Sequence, residues 1–315
     1  MKSVSWIEAD DLQGALSAAA QPGSLVKAGG VDVGDRLKEH LDEPQALVNI
    51  RHVGELSFVR VEGEGLTIGP LVTLAQLADD ARMPRVLRDA CLQAATPLIR
   101  SMATVGGNLA QRPRCWYFRN ETFHCRRKGG SECFAIEGEN EMHAVFDNDI
   151  CAIVHPSAAA TALLALGAVL ELRTQSSQRA MPIEQFFVSP EKDVLRENVL
   201  AHGELITAIR IPVTKGASAY TKLMAKQSFD WPMAEAAVVL GDRPRIVLGA
   251  AAPAPLRALE AEKAIAGART IDEGLAARAS RLAVQGATPL SQNAYKLQLL
   301  ETAVRRTLLA AGRAS

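Results

Sequence analysis

Two periods of hydrophobic spacing run along this chain of 315 residues. Apolar residues three or four positions apart predict helices, and alternating or short apolar runs between turn residues predict strands. Up to about residue 215 the two types are interleaved: helices over EADDLQGALSAAAQPG, VGDRLKEHL, LAQLADDARM, MPRVLRDACLQAA and HPSAAATALLALG, strands over SLVK, ALVNI and GELITAIRIPV, and a hairpin over SFVRVEGEGLTIGP. Thr73 and Gln76 form a capping-box pattern at the start of the third of these helices.

The order of elements changes after the short segment TKGAS. YTKLMAKQSF, AEAAVVLG and PRIVLGAAA read as three consecutive strands, and three helical patterns follow them up to the end of the chain. Strands followed by helices are typical of an α+β domain. The pattern therefore predicts an α+β protein with one domain over residues 1–215 and a smaller one over residues 216–315.

Composition and charge exclude several classes of protein. Lys plus Arg and Asp plus Glu both total 35, so no net field favours DNA, RNA or an anionic membrane surface. No segment supplies about 18 consecutive apolar residues for a membrane span, and the acidic N-terminal segment does not resemble a secretory signal. We expect a cytoplasmic protein with no membrane insertion, and co-export to the periplasm with a partner is left open.

Two glycine pairs carry the first candidate chemistry. KAGGVD at Lys27 to Asp32 follows a predicted strand, and TVGGN occupies Thr104 to Asn108. Adjacent glycines allow positive φ and expose consecutive backbone N–H groups, which can hold a phosphate without interference from a side chain. The alternative is that each pair only makes a tight turn. No G-x-G-x-x-G and no Walker A loop is present, which disfavours a Rossmann or P-loop site.

Four of the five cysteines lie close together, at Cys115, Cys125, Cys133 and Cys151. Their C-x9-C-x7-C-x17-C spacing has no C-x-x-C pair, so it fits a structural zinc site less well than an iron–sulfur cluster held by four thiolates. Unligated thiols are a third interpretation. Neighbouring aromatic residues would exclude water, and the basic run Arg126 to Lys128 would offset the negative charge of a cluster. Cys91 stands apart on a predicted apolar helix face and is interpreted as a buried small residue.

Eight segments in order along the chain carry a resemblance to a known family: AGGVDVGDRLKEHLDEPQALVNI, IGPLVTLAQLA, TVGGNLAQRPRCWYFR, CFAIEGENEMHAVF, CAIVHPS, GELITAIRIP, YTKLMAKQSFDWPMAEAAVVL and RIVLGAAAPAPLRALEAE. Together they resemble the FAD-binding (medium) subunit of molybdenum hydroxylases of the xanthine dehydrogenase, aldehyde oxidoreductase and CO dehydrogenase family. The cysteine segment resembles the branch with an additional [4Fe-4S] cluster, as in periplasmic aldehyde oxidoreductase and 4-hydroxybenzoyl-CoA reductase.

The resemblance implies a fold and a set of site residues. The fold would be a two-part FAD-binding domain of the p-cresol methylhydroxylase (PCMH) type followed by a smaller α+β domain. Cys115, Cys125, Cys133 and Cys151 would bind the [4Fe-4S] cluster, within a loop at about 112–155, and no residue of this chain would be catalytic toward the organic substrate. The residues implied to hold FAD are Lys27, Ala28, Gly29, Gly30, Val31, Asp32, Val33, Thr104, Val105, Gly106, Gly107, Asn108, Ile206 and Lys222.

The resemblance also implies partners and an electron path. A large molybdenum-cofactor subunit would oxidise the substrate, a small [2Fe-2S] subunit would carry single electrons, and FAD would pass them to an external acceptor. The alternatives are a reductase of the 4-hydroxybenzoyl-CoA reductase type, with electrons flowing in the opposite direction, and a flavin-free scaffold or metal-binding subunit. Val31 and Ala158 replace a threonine and an aspartate of the family pattern, which removes two side-chain contacts to the cofactor and leaves backbone contacts unchanged.

Overall fold

The computed structural model describes residues 3–63, 65–214, 216–226 and 228–313. Its first lobe is a three-stranded parallel sheet in the order β1-β3-β2 with two helices. The elements of this lobe are β1 (Ser5–Glu8), α1 (Leu12–Ala19), β2 (Ser24–Lys27), α2 (Val31–Lys38) and β3 (Ala46–Asn49). Asp11 caps α1 by accepting a hydrogen bond from the N–H of Gly14 at 2.7 Å, which confirms the predicted start of this helix.

The second lobe is a five-stranded antiparallel sheet in the order β4-β5-β8-β6-β7, covered by helices. Its elements are β4 (Val59–Glu62), β5 (Gly65–Ile68), α3 (Leu74–Asp79), α4 (Arg85–Leu92), α5 (Pro97–Met102), α6 (Val105–Ala110), α7 (Trp116–Arg119), α8 (Phe134–Glu137), α9 (Ala158–Leu166), β6 (Val169–Arg173), β7 (Gln178–Pro182) and β8 (Leu205–Ile211). The capping box of Thr73 and Gln76 is present at the start of α3. Cys91 is fully buried on α4, as its apolar surroundings predict.

The C-terminal part is a four-stranded antiparallel sheet in the order β12-β11-β10-β9, with three helices packed on it. Its elements are β9 (Ser218–Met224), β10 (Pro232–Val239), β11 (Arg245–Gly249), β12 (Leu256–Arg257), α10 (Leu259–Ile265), α11 (Glu273–Ala283) and α12 (Tyr295–Gly312). This arrangement confirms the predicted α+β class. The predicted domain boundary falls between β8 and β9, at Lys215, which lies outside the described residues, and it stays a prediction.

Three elements differ from the sequence-based expectation. The edge strands β1 and β7 carry exposed polar residues and lack the apolar runs that predict strands. The second glycine pair, expected in a tight turn, lies in the first turn of α6. The reason is local: the Thr104 hydroxyl accepts a hydrogen bond from the N–H of Gly107 at 3.3 Å and so caps a helix there.

Candidate functional site

A cleft of about 460 Å³ runs between the first lobe, the second lobe and the β9–β10 loop. Most of the residues that the resemblance assigns to FAD line this cleft: Ala28, Gly29, Gly30, Val31, Asp32, Val33, Thr104, Gly106, Gly107, Asn108, Ile206 and Lys222. A cavity of a few hundred Å³ with few polar groups is typical of sites for small molecules and cofactors. The structure therefore brings together residues that are almost 200 positions apart in the chain.

Lys27 and Val105 do not line the cleft. The Nζ of Lys27 donates a hydrogen bond to Oδ1 of Asn49 at 3.0 Å and lies 5.1 Å from the ring centre of Trp6. Side chains alternate between the two faces of a strand, so Lys27 points away from the face that Val26 and Ala28 present to the cleft. Val105 is fully buried in the core of the second lobe.

The first glycine pair forms an open cradle of backbone N–H groups. Gly30 has φ = +80°, a left-handed conformation that favours glycine. A Cβ on Gly29 would lie 1.9 Å from the backbone oxygen of Met102, so only glycine fits at this close approach. Within the described residues, no protein acceptor takes a hydrogen bond from the N–H groups of residues 29–33. These groups are free to hold an anionic ligand at the start of α2.

The second glycine pair is organised differently. The N–H of Gly106 donates to the Pro70 carbonyl at 2.9 Å, and a Cβ on Gly106 would lie 2.7 Å from Cβ of Pro70. Gly106 and Gly107 are not among the glycines with positive φ. Small size rather than positive φ thus explains Gly106, because it lets α6 pack closely against Pro70. The prediction that its N–H groups hold a pyrophosphate stays a prediction.

The carboxylate of Asp32 joins the first cradle to the segment around Cys115. Asp32 accepts hydrogen bonds from Nη2 of Arg119 at 2.8 Å and from the N–H of Arg112 at 3.2 Å, and it lies 3.0 Å from Nη2 of Arg114. Burial alone would raise the pKa of Asp32, but Arg114 and Arg119 hold that pKa below its usual value. Arg114 lines the cleft, and its buried Nε has no hydrogen-bond partner within the described chain.

All four clustered cysteines line one small cavity. They are Cys115, Cys125, Cys133 and Cys151, each a free thiol. The cavity has a volume of about 10 Å³, so a four-iron cube would require the thiols to move apart. No group of three or more His, Cys, Asp or Glu side chains in the described ranges is placed to hold one metal ion. The donor set fits a cluster by its chemistry, since four cysteines are the usual ligands of a [4Fe-4S] centre.

The environments of these thiols differ. Burial raises the pKa of Cys115 to about 12, and Nε2 of His143 lies 3.2 Å from its sulfur. Burial also lowers the pKa of His143 to about 4, so this imidazole is neutral near pH 7. A hydrogen bond with the Cys151 thiol lowers the pKa of Cys133 to about 6. We therefore expect Cys133 to lose its proton more readily than Cys115 or Cys151, whose pKa values are raised.

Aromatic rings pack beside the cysteine cavity, as the sequence suggests. The ring centres of Tyr117 and Phe123 are 5.0 Å apart, those of Phe123 and Phe134 are 5.1 Å apart, and Trp116 meets His143 edge-on at 4.8 Å. These rings shield the thiols from water on one side.

Of the basic run Arg126 to Lys128, only Arg127 contacts a thiol. Its Nε lies 3.4 Å from the sulfur of Cys151. Arg126 donates to the carbonyls of Ser131 and Ile150, and Lys128 donates to the carbonyl of Asn120. Arg126 and Arg127 both line the cavity, and Arg127 is the residue of this run that contacts a thiol.

The C-terminal domain holds the cysteine segment in place through the start of α12. Lys296 is fully buried, and its Nζ donates to the carbonyls of Ala250 at 2.7 Å and His143 at 2.9 Å. Nδ2 of Asn293 donates to the carbonyls of His143 and Ala144. Reading the sequence did not identify these residues, because a lysine in a helix is usually exposed and nothing local links residue 296 to residue 143.

We expect Lys296→Met to lower the free energy of unfolding by about 1–3 kcal/mol, because buried carbonyl groups would lose their donor. The thermal midpoint should fall accordingly, measured by circular dichroism. Lys263→Met is the matched control, since the Lys263 side chain is 72% exposed and pairs only with Glu260 at the surface. Equal midpoints for the two variants would contradict the role given to Lys296.

Comparison with known proteins agrees with this geometry. Residues 2–214 match the family described as "FAD binding domain in molybdopterin dehydrogenase", and residues 218–311 match the "CO dehydrogenase flavoprotein C-terminal domain". The chain is 33% identical to the aldehyde oxidoreductase FAD-binding subunit PaoB of Escherichia coli (strain K12), over 94% of this chain and 92% of that protein. The solved structure of quinoline 2-oxidoreductase from Pseudomonas putida 86 superposes with a TM-score of 0.76 at 22% identity, covering 100% of this chain and 99% of that chain.

A glycine-lined cleft between two lobes defines this protein as one built to bind a nucleotide cofactor. The chain belongs to the family of FAD-binding subunits of molybdopterin-dependent dehydrogenases. None of the helices in the described ranges combines the length and the apolar character needed to cross a bilayer.

Proposed function

We propose that this chain is the FAD-carrying electron-transfer subunit of a heteromeric molybdenum hydroxylase, and that it also holds a [4Fe-4S] cluster. Electrons from the [2Fe-2S] centres of a small partner would reach FAD and leave to an external acceptor. A large partner with the molybdenum cofactor would act on the organic substrate. The relative from Escherichia coli supports this assignment, since it is the FAD-binding subunit of an aldehyde oxidoreductase.

One observation carries the proposal beyond family membership: consecutive residues line the two cavities. Arg114 lines the cleft, and Cys115 lines the cysteine cavity. Successive Cα atoms are about 3.8 Å apart, so a cofactor in the cleft and a cluster on the four cysteines would be neighbours. This placement supports electron exchange between the two centres.

The residues of the cleft fit FAD by their chemistry. The free N–H groups of residues 29–33 would hold the pyrophosphate, and Arg114 and Arg119 neutralise the charge of Asp32 that would otherwise repel it. The buried Nε of Arg114, which has no hydrogen-bond partner within the described residues, could donate to the cofactor. When bound, FAD supplies both one-electron and two-electron chemistry, and the protein orients it and tunes its potential.

A cluster is favoured over a single metal ion at the four cysteines. A structural zinc site needs its ligands at about 2.0–2.3 Å from one point, whereas a cluster spreads its cysteine ligands over a larger body. All four thiols share a cavity, and their spacing lacks the C-x-x-C pair that is typical of structural zinc sites. The same feature supports membership in the branch with the additional cluster.

Two alternatives differ from this proposal, one in the direction of electron flow and one in lacking flavin. A reductase of the 4-hydroxybenzoyl-CoA reductase type would use the same two sites with electrons entering from the acceptor side. A flavin-free scaffold would leave the free N–H groups of the first cradle and the buried Nε of Arg114 without a role. These free donors favour the flavin-binding interpretation.

We expect the purified protein, alone or in its complex, to show flavin absorption near one FAD per chain and about four iron atoms per chain by chemical analysis. Cys125→Ser should remove most of the iron, because one of the four ligands is lost. Cys91→Ala is the matched control, since Cys91 is buried on α4 away from the cavity, and it should keep both flavin and iron. Wild-type protein without flavin would contradict the assignment, and zinc in place of iron would contradict the cluster.

A further inference from the structure

Arg127 is a buried cation that three different groups share. The residue is 2% exposed. Its Nε lies 3.4 Å from the sulfur of Cys151, and its Nη1 donates to Oε1 of Glu197 at 2.8 Å and to the carbonyl of Arg196 at 3.3 Å. Its buried Nη2 has no hydrogen-bond partner in the described part of the chain. An unpaired buried donor is costly, which points to a ligand that accepts from it.

The charges around Arg127 do not cancel. Glu197 also accepts a bidentate pair of hydrogen bonds from Nε and Nη2 of Arg112 at 3.0 Å and 3.0 Å. One carboxylate thus serves two guanidinium groups, and this three-residue group carries a net positive charge. A group that gains negative charge at the cysteines would compensate it.

We propose that Arg127 is the residue that raises the reduction potential of the cluster held by the four cysteines, by donating from Nε to Cys151 and from Nη2 toward the cluster. This inference rests on the proposed function. A cluster bound by the four cysteines would supply one-electron chemistry, with no bond made or broken and no proton required. The added negative charge is stabilised by the guanidinium, so reduction becomes more favourable. Glu197 acts in the opposite direction.

Arginine suits this position better than lysine does. The planar guanidinium presents its donors in a fixed fork, so one side chain can contact a sulfur, a carboxylate and a third acceptor at once. A lysine ammonium would keep the charge but could not place donors at all three. Arg127→Lys is therefore expected to lie between the wild type and a neutral variant.

The test is a mediated redox titration of the purified complex, in which electron paramagnetic resonance follows the reduced cluster. In Arg127→Met, the ratio of reduced to oxidised cluster at the wild-type midpoint should fall at least tenfold, which is about 59 mV for a one-electron couple. Glu197→Gln should shift the midpoint in the opposite direction. Lys128→Met is the control: Lys128 belongs to the same basic run, donates to the carbonyl of Asn120 and does not line the cysteine cavity, so the midpoint should stay unchanged.

The outcomes separate this inference from the function on which it rests. A wild-type protein with no cluster overturns the proposed cluster and this inference together. If the wild-type protein holds a cluster and both Arg127→Lys and Arg127→Met keep the wild-type midpoint potential, this inference alone is overturned. If Arg127→Met loses its iron, Arg127→Lys and Glu197→Gln decide: opposite shifts support the inference, and unchanged midpoints mean that Arg127 only supports the loop.

Discussion

Gly29→Ala is expected to abolish the retention of FAD. The new Cβ would lie 1.9 Å from the backbone oxygen of Met102, and a backbone atom cannot rotate away as a side chain can. Met102 is held because α5 ends there and the next residue pairs with α3: the N–H of Leu74 donates to the carbonyl of Ala103 at 2.9 Å. The first cradle must therefore move away from the second lobe, and the cleft between them widens. The measurement is the ratio of flavin to protein absorbance after gel filtration.

Gly34→Ala is the matched control for this substitution. Gly34 lies inside α2, five residues further on, and a Cβ there would meet nothing within 4 Å. Alanine is favoured over glycine within a helix by about 1 kcal/mol, so this variant should keep its flavin and become slightly more stable. Full flavin content in Gly29→Ala, or equal loss in both variants, would show that the close approach at Gly29 does not position the cleft.

The first cradle shows how far local sequence signals reach. The strand that ends at Lys27 and the glycine pair that follows it are local features of the sequence. The predicted strand, tight turn and free N–H groups therefore agree with the structure. The physical reason why each position requires glycine is harder to predict from the sequence. Gly30 needs its positive φ, which a turn suggests, whereas Gly29 is required by contact with residue 102, which no local pattern reveals.

The second glycine pair marks a limit of the same reasoning. A glycine pair predicts a turn because glycine disfavours helix, and here a capping threonine outweighs that preference and starts α6. The edge strands β1 and β7 were missed because their exposed residues need no hydrophobic alternation. Propensity fails at α6 because a local cap decides the structure, and it fails at β1 and β7 because pairing with a neighbouring strand does.

The four cysteines of the cavity could be predicted from the sequence, but the residues that surround them could not. Cysteines within one window predict ligation, and the four thiols do line one cavity. The residues that control it come from far away: Glu197 and Lys296 reach it through contacts across 70 to 153 positions. Charge patterning along the chain cannot indicate such pairs, because the partners share no period or spacing.

Asp32→Asn is expected to weaken both cofactor sites together. The carboxylate belongs to the first cradle, yet its partners Arg114 and Arg119 lie on either side of Cys115. Asp32→Asn removes an acceptor from Arg114 and Arg119 in a partly buried network, in which these arginines keep Asp35 and Glu39 as partners, and should cost about 1–3 kcal/mol. We therefore expect a lower thermal midpoint with reduced flavin and reduced iron, measured on the same preparation.

Asp35→Asn separates this role from a general loss of charge on α2. Asp35 is on the same helix and pairs with Arg114 at 3.1 Å, but its side chain is 47% exposed, so its loss should cost less than about 1 kcal/mol. If Asp32→Asn lost flavin but kept its full iron content, the two sites would fold independently. This result would contradict the prediction that Asp32 supports both sites.

The pH dependence of stability is a second test of the role of Asp32 in both cofactor sites. Because the folded chain lowers the pKa of Asp32, the carboxylate stabilises the fold at every pH above its unfolded value of about 3.9, and this contribution is lost as the pH falls through the lower folded pKa. The difference in midpoint between wild type and Asp32→Asn should thus be constant near neutral pH and shrink below about pH 4. Iron and flavin should leave the wild type together over the same acidic range if one carboxylate holds both sites in register.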